Sequence, residues 1–196
     1  MTDTTQLWLI RHGETEWSLN GKHTSRTDLP LTDRGRQRAV ELQDYLAGTK
    51  FAAVFRSPMG RARETCEIAG FGDVAVVDPG LLEWDYGIFE GRTTKEIQAE
   101  IPGWSVWDSP ITGGETVEHV GERADAVIAR AFAATPAGGN VALFAHAHIL
   151  RILAARWICL DARAGRLFAL GTGSVSVVGY ERETRVIAHW NRGFEE

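Results

Sequence analysis

The chain has 196 residues, 44% of them apolar and 24% charged, a balance that fits a soluble globular domain with a substantial core and excludes a disordered or fibrous chain. A formal charge of -5 and a pI near 5.7 give no footing for nucleic acid as a partner, although a small pocket inside an acidic protein can still be strongly positive. No apolar run approaches membrane-spanning length, and Met1-Thr2-Asp3-Thr4-Thr5 lacks the basic start of a secretory signal, so a cytoplasmic protein free of membrane contact is expected.

In chain order, apolar strand-like runs fall at 7–11, 52–56, 74–77 and 141–145, with helical periodicity at about 32–47, 58–69, 116–134 and 147–160. Strand alternating with helix predicts a mostly parallel mixed sheet covered on both faces, a three-layer α/β/α sandwich. Thr32 or Asp33 can cap the first helix, which should bury Ala39, Val40, Leu42 and Leu46. Ser57-Pro58 reads as the start of the second, a capping hydroxyl followed by a proline whose missing N–H is not needed there. Cys66 and Cys159 both fall in helical stretches, which favours buried thiols over a disulfide. The tail alternates with period two over 174–180 and 185–190, flanking a hairpin turn at Glu181-Arg182-Glu183-Thr184. The stretch 84–114, rich in glycine, proline and tryptophan, is the least regular, and a substrate-covering role is expected of it within a single domain spanning 1–196.

Chemistry concentrates where strands end. Arg11 and His12 follow Leu7-Trp8-Leu9-Ile10 out of the sheet, the place where α/β proteins bind ligands. A neutral imidazole can attack phosphorus, and a guanidinium can grip phosphoryl oxygens with two prongs. Arg61 lies in the first turns of the second helix, where free N–H groups also favour an anion. Glu83 follows the third strand and the Asp78-Pro79-Gly80 break, and His146 ends the apolar run Val141-Ala142-Leu143-Phe144-Ala145, with His148 two residues on. Read singly, Arg61 and Glu83 fit solvated surface equally well. A metal site built from His146, His148, His12 or His23 and Glu83 is the first rival. Its spacing is not that of a helical zinc motif, and two arginines facing the same pocket would repel a cation. Neither a Walker loop, a dinucleotide fingerprint nor a Gly-x-Ser-x-Gly elbow occurs. No metal and no cofactor are therefore expected.

Taken together, Leu9-Ile10-Arg11-His12-Gly13-Glu14-Thr15-Glu16-Trp17 resembles the signature of the histidine phosphatase superfamily, the phosphoglycerate-mutase-like enzymes. Further matches follow in that family's order. They are Asp28-Leu29-Pro30-Leu31-Thr32 with Gly35; Ser57-Pro58-Met59-Gly60-Arg61-Ala62 with Thr65; Leu82-Glu83 with Gly87, Glu90 and Gly91; and Phe144-Ala145-His146 with Arg151. The resemblance implies a metal-independent phosphohistidine mechanism, with His12 as nucleophile, Arg11 and Arg61 as phosphate-binding arginines, Glu83 as proton donor and His146 as second histidine. Three positions depart from the pattern. Ser18 stands where asparagine is common, Ser25 where glycine is usual, and Ala147 replaces the glycine after the second histidine, which is tolerable where φ is negative.

Within the superfamily the chain is most similar to the sedoheptulose-bisphosphatase-like and broad-specificity acid phosphatase branch, through Glu14 to Ser18, His23-Thr24 with Thr27 to Thr32, Glu83-Trp84-Asp85-Tyr86-Gly87, Trp107, Gly114-Glu115-Thr116 and Phe144 to His148. Hydrolysis of a small phosphomonoester, sugar phosphates or bisphosphates first, is the expected reaction. Mutase-type phosphoryl transfer is the alternative, and a catalytically weak phosphoprotein-binding module the second. Ser18, Lys22, His23, Thr24, Ser25, Arg26, Arg92 and Ala147 are candidate substrate contacts, the basic ones for a second phosphate or carboxylate. Trp84 and Tyr86 are expected to close an apolar rim around a sugar, while Trp104 and Trp107 fit that rim or helix and lid packing equally well. A homodimer is compatible with such a chain.

Overall fold

The computed structural model describes residues 5–193, so the reading of Met1 to Thr4 lies outside the described residues. Its centre is a six-stranded sheet of β1 (Gln6–Arg11), β2 (Phe51–Arg56), β3 (Ala75–Val77), β4 (Asn140–Ala145), β5 (Val175–Glu181) and β6 (Thr184–Arg192), in the order β3-β2-β4-β1-β5-β6. Strands β1 to β4 run parallel, while β5 pairs antiparallel with β1 and with β6. The predicted three-layer α/β/α arrangement is present.

Side chains on the central strands β1 and β4 are apolar on both faces because both are covered, as such sheets require. Leu7, Leu9, Val141, Leu143 and Ala145 pack into one core with α5 (Val117–Ala134) and α6 (Ala147–Trp157). Ile10, Ala142 and Phe144 pack on the other side against α2 (Asp33–Leu46) and α3 (Gly60–Ile68). Two short helices complete the set, α1 (Glu16–Leu19) and α4 (Thr94–Glu100), each opened by a capping box. Among the described residues no helix is long and apolar enough to cross a membrane.

Thr32 is the α2 cap, its hydroxyl accepting from the Gly35 N–H. That helix buries Ala39, Leu42 and Leu46, but Val40 is 43% exposed; it lies between Ala39 and Glu41 and turns off the buried stripe. Ser57 is not the cap of α3. The helix begins at Gly60, whose N–H is shared between the two carboxylate oxygens of Asp28, at 2.9 and 3.0 Å. Cys66 is buried, whereas Cys159 lies exposed just past α6 with φ at 61°, so the helical stretch predicted to 160 ends early and releases that thiol to solvent. In the tail, Glu181 pairs with Thr184, leaving Arg182 and Glu183 as the turn.

The segment 84–114 is irregular but not loose. Trp84, Tyr86, Phe89, Ile97, Trp104 and Val106 all belong to the larger core. The expected rim is corrected accordingly: Trp84, Tyr86 and Trp104 are each no more than 2% exposed, because their apolar area is worth more inside the core than at its edge.

Candidate active site

Strand pairing alone brings the two histidines together. Arg11 is the register partner of Ala145 on adjacent parallel strands, so the next residues, His12 and His146, leave the sheet side by side. The His12 N–H donates to the Ala145 carbonyl at 3.0 Å and the two rings lie 5.2 Å apart. Gly13 follows because the start of α2 closes on it: a Cβ there would stand 2.4 Å from the Gly35 carbonyl oxygen, and one on Gly35 would stand 2.3 Å from that of Glu14. Both glycines of the motif are thus demanded by one backbone contact.

His12 is buried, and its Nδ1 lies 2.7 Å from the Gly13 carbonyl. A carbonyl can only accept, so Nδ1 carries the proton and Nε2 keeps the lone pair. Burial, followed by the charges of Arg61 and Arg11, holds this imidazole well below the usual histidine range. It is therefore a neutral group with a free nitrogen among cations. Arg11 is itself pushed down to about 10 by burial and stays charged at neutral pH. One of its terminal nitrogens donates to the Leu170 carbonyl, while Nε is buried without a protein partner, an orphaned donor of the kind that bound anions satisfy.

Arg61 is fully buried, and its guanidinium donates to the carbonyls of Thr24, Ser25 and Thr27 and through Nε to His146 Nδ1 at 3.2 Å. Since Nδ1 of His146 accepts, its Nε2 carries the proton and donates to Ser57 Oγ at 2.8 Å. Burial and the charge of Arg61 hold His146 neutral as well. Ser57, read from sequence as a helix cap, instead fixes this tautomer. Glu90 locks the same loop from behind, taking the N–H groups of Ser25 and Thr27 at 2.8 to 3.0 Å.

The Glu83 carboxyl is held by three backbone N–H groups, Trp84 and Ile149 on Oε1 and His148 on Oε2, each at 3.0 Å. Two of these belong to the first turn of α6, where unpaired donors are available. Its loop is tied down by Arg123, which donates to the carbonyls of Gly80, Leu82 and Glu83 and pairs with Glu115. No local pattern marks Arg123 in the sequence, because the carbonyls it holds lie 40 to 43 residues upstream. Thr65 is a further link: it accepts from the Gly13 N–H and donates to the Arg61 carbonyl.

Arg11, His12, Arg61, Glu83 and His146 thus converge. The other candidates divide. Ser25, buried, donates to the Glu83 carbonyl at 3.3 Å, and Thr24 and Ser25 present their carbonyls to Arg61. His23 is buried against Tyr86 and Trp104, with Nε2 near the Thr94 hydroxyl. Tyr86 bonds His148 at 2.7 Å. Ala147 is the first residue of α6 and has no positive φ, so the departure from glycine is unstrained. Ser18 spends its hydroxyl in the α1 capping box, Lys22 lies over Trp17, Arg26 pairs with Asp85, and Arg92 turns to Glu100 on α4. Trp84 donates to the Glu115 carbonyl and packs in the core. A cleft of about 820 Å³ lies between α2 and residues 171–193 with Glu14 on its wall, and none of the five converging residues lines it. Among the described residues no three His, Cys, Asp or Glu side chains are grouped to hold a metal ion.

Comparison with known proteins agrees with this geometry. The sequence profile of the histidine phosphatase superfamily (branch 1) matches residues 7–193. An acid phosphatase of Mycobacterium tuberculosis is 39% identical over 186 residues, 93% of this chain and 90% of that protein. A sedoheptulose 1,7-bisphosphatase of Saccharomyces cerevisiae is 33% identical over 182 residues, 78% of this chain and 67% of that protein. A solved structure of an open reading frame product of Mycobacterium tuberculosis superposes with a TM-score of 0.90 at 36% identity, covering 95% of this chain and 97% of that one.

Proposed function

The chain belongs to the histidine phosphatase superfamily, and on that footing we propose that it hydrolyses small phosphomonoesters in two steps through a phosphohistidine at His12. The observation that carries this reading is the state of His12: Nδ1 committed to the Gly13 carbonyl, Nε2 free, the ring held neutral between two arginines. Nε2 attacks phosphorus and the bond to the leaving oxygen breaks, that oxygen taking a proton from Glu83. Water then attacks the phosphohistidine, gives a proton back to Glu83, and inorganic phosphate leaves with His12 restored. The charge that develops on the nonbridging oxygens is met by Arg11, with its unpartnered Nε, and by Arg61. His146, neutral and accepting at Nδ1, keeps Arg61 aimed.

Sugar phosphates and bisphosphates come first as substrates. The support is the likeness to a sedoheptulose 1,7-bisphosphatase. Arg26 and Arg92, whose guanidinium groups pair with Asp85 and Glu100, give little support to a second-phosphate site. The same reading has the enzyme working in the cytoplasm, alone or as a homodimer. Rapid quench with radiolabelled sugar phosphate tests it: the wild type should carry an acid-labile, base-stable label that His12→Ala lacks. Full turnover by His12→Ala refutes the mechanism. Isomerisation of 3-phosphoglycerate without phosphate release would replace hydrolysis by mutase chemistry.

A further inference from the structure

His148 is a titratable side chain, 14% exposed, against Glu83, and the proposed reaction gives it no task. Its backbone N–H holds Glu83 Oε2 at 3.0 Å, while its ring Nδ1 lies 2.7 Å from the Tyr86 hydroxyl and 3.9 Å from the same Oε2. The ring is enclosed by Trp107, Tyr86, Trp84 and His23, at centroid distances of 5.1 to 6.4 Å. Glu83 Oε1 accepts two N–H groups and Oε2 only one, so Oε2 is the atom with room for the proton that catalysis moves. A bare imidazole nitrogen beside it would be a rival for that proton, since imidazole is the stronger base of the two and the opposite charges of a carboxylate–imidazolium pair favour each other.

We propose that Tyr86 is a positioning residue that caps this rival: its hydroxyl donates to His148 Nδ1, occupies the lone pair, and so reserves the Glu83 proton for the leaving oxygen. The phenol is suited to the task. Burial, followed by the charge of Glu83, raises it well above the usual tyrosine range, so it always has a proton to donate. The groups facing His148 act in the same sense. Burial, then Arg151 three residues on in α6, His23 from the loop after α1, and Arg11 from the end of β1 all hold the imidazole neutral. Only the Glu83 carboxylate, which forms as the proton is lost, favours imidazolium. With the phenol in place Nδ1 has no vacant lone pair. Without it, nothing separates the two groups but a rotation of the ring.

The inference rests on the hydrolase reading, and the experiment separates the two. Kinetics are measured on an alkyl phosphate (glycerol phosphate) and on p-nitrophenyl phosphate, whose leaving group needs no proton. Tyr86→Phe should lower kcat on the alkyl ester by about tenfold or more and on the aryl ester by less than about threefold, since general acid catalysis acts on the poor leaving group. Adding His148→Asn to Tyr86→Phe removes the rival nitrogen while keeping the backbone N–H, and should recover most of the alkyl activity. Nitrogen-15 NMR of the imidazole gives a readout that needs no turnover: His148 should be the Nε2–H tautomer in the wild type and should become protonated near neutral pH in Tyr86→Phe. A double variant as slow as the single one, equal losses on both esters, or a His148 resonance unmoved by Tyr86→Phe each overturns the proposal. A wild type that hydrolyses neither ester overturns the hydrolase reading instead, and the NMR comparison still decides the capping.

Discussion

His23 offers a quantitative check on how dry the wall of the site is. It is 8% exposed, packed on Tyr86 and Trp104, and burial alone lowers its pKa from 6.5 to about 4. In the unfolded chain the imidazole takes a proton near 6.5; in the folded chain it does so only near 4. Between those values the unfolded state binds more protons, so the stability contributed by a neutral His23 is complete above about 6.5 and is lost as pH falls toward 4. At 1.36 kcal/mol per pH unit the full loss is about 3 kcal/mol, and about 2 kcal/mol has gone by pH 5. His23→Gln keeps a nitrogen near the Thr94 hydroxyl, 3.2 Å from Nε2 in the native ring, but cannot titrate. Guanidinium unfolding of both proteins at pH 7 and pH 5 should therefore show wild type losing about 2 kcal/mol more than the variant on acidification, whatever their difference at pH 7. His12, His146 and the largely enclosed His148 are held neutral in both proteins and cancel in the comparison. Equal acid sensitivity of the two proteins would refute the burial argument for this wall.

Other consequences are direct. Glu83→Gln keeps the shape of the carboxyl but cannot donate and recover a proton, so kcat on alkyl phosphates should fall by about 10² to 10⁴ while p-nitrophenyl phosphate is far less affected; equal losses on the two esters would remove Glu83 from the proton-transfer role. Glu90→Ala deletes the acceptor for the Ser25 and Thr27 N–H groups and so frees the loop that orients Arg61. With charged hydrogen bonds worth about 1.5 to 3 kcal/mol, kcat/KM should drop by about ten- to hundredfold and Glu90→Gln should retain most of it. Because Arg11 and Arg61 supply the charge that a cation would otherwise bring, excess chelator should leave the rate unchanged and vanadate should inhibit; activity lost to chelator and restored by a divalent ion would contradict this electrostatic account.

Much of this protein is written locally in its chain. The four apolar runs of the parallel sheet and the period-two tail appear as β1 to β6 because strand formation there depends on continuous apolar character and on turns at fixed places. Thr32 caps α2 as its chemistry suggests, whereas the Thr93-x-x-Glu96 capping box that opens α4 falls inside the stretch read as irregular. Arg11-His12 and His146 mark the site because they follow strands, and strand ends are where such sheets bind ligands. What the local sequence could not decide is which partner wins when two groups compete. Ser57 has the chemistry of a helix cap, yet its hydroxyl goes to His146 because β2 and β4 are neighbours, and Asp28, 32 residues upstream of Gly60, serves the helix instead. Arg26 and Arg92 look like anion binders until Asp85 and Glu100 arrive beside them. Trp84 and Tyr86 look like a rim until α6 brings His148 against both. The register of β1 on β4, not any motif, sets His12 beside His146. Residue type and spacing determined which chemistry was available; strand order and packing decided where each donor and acceptor spends it, because a hydrogen bond or an ion pair depends on distances across the fold that no local pattern contains.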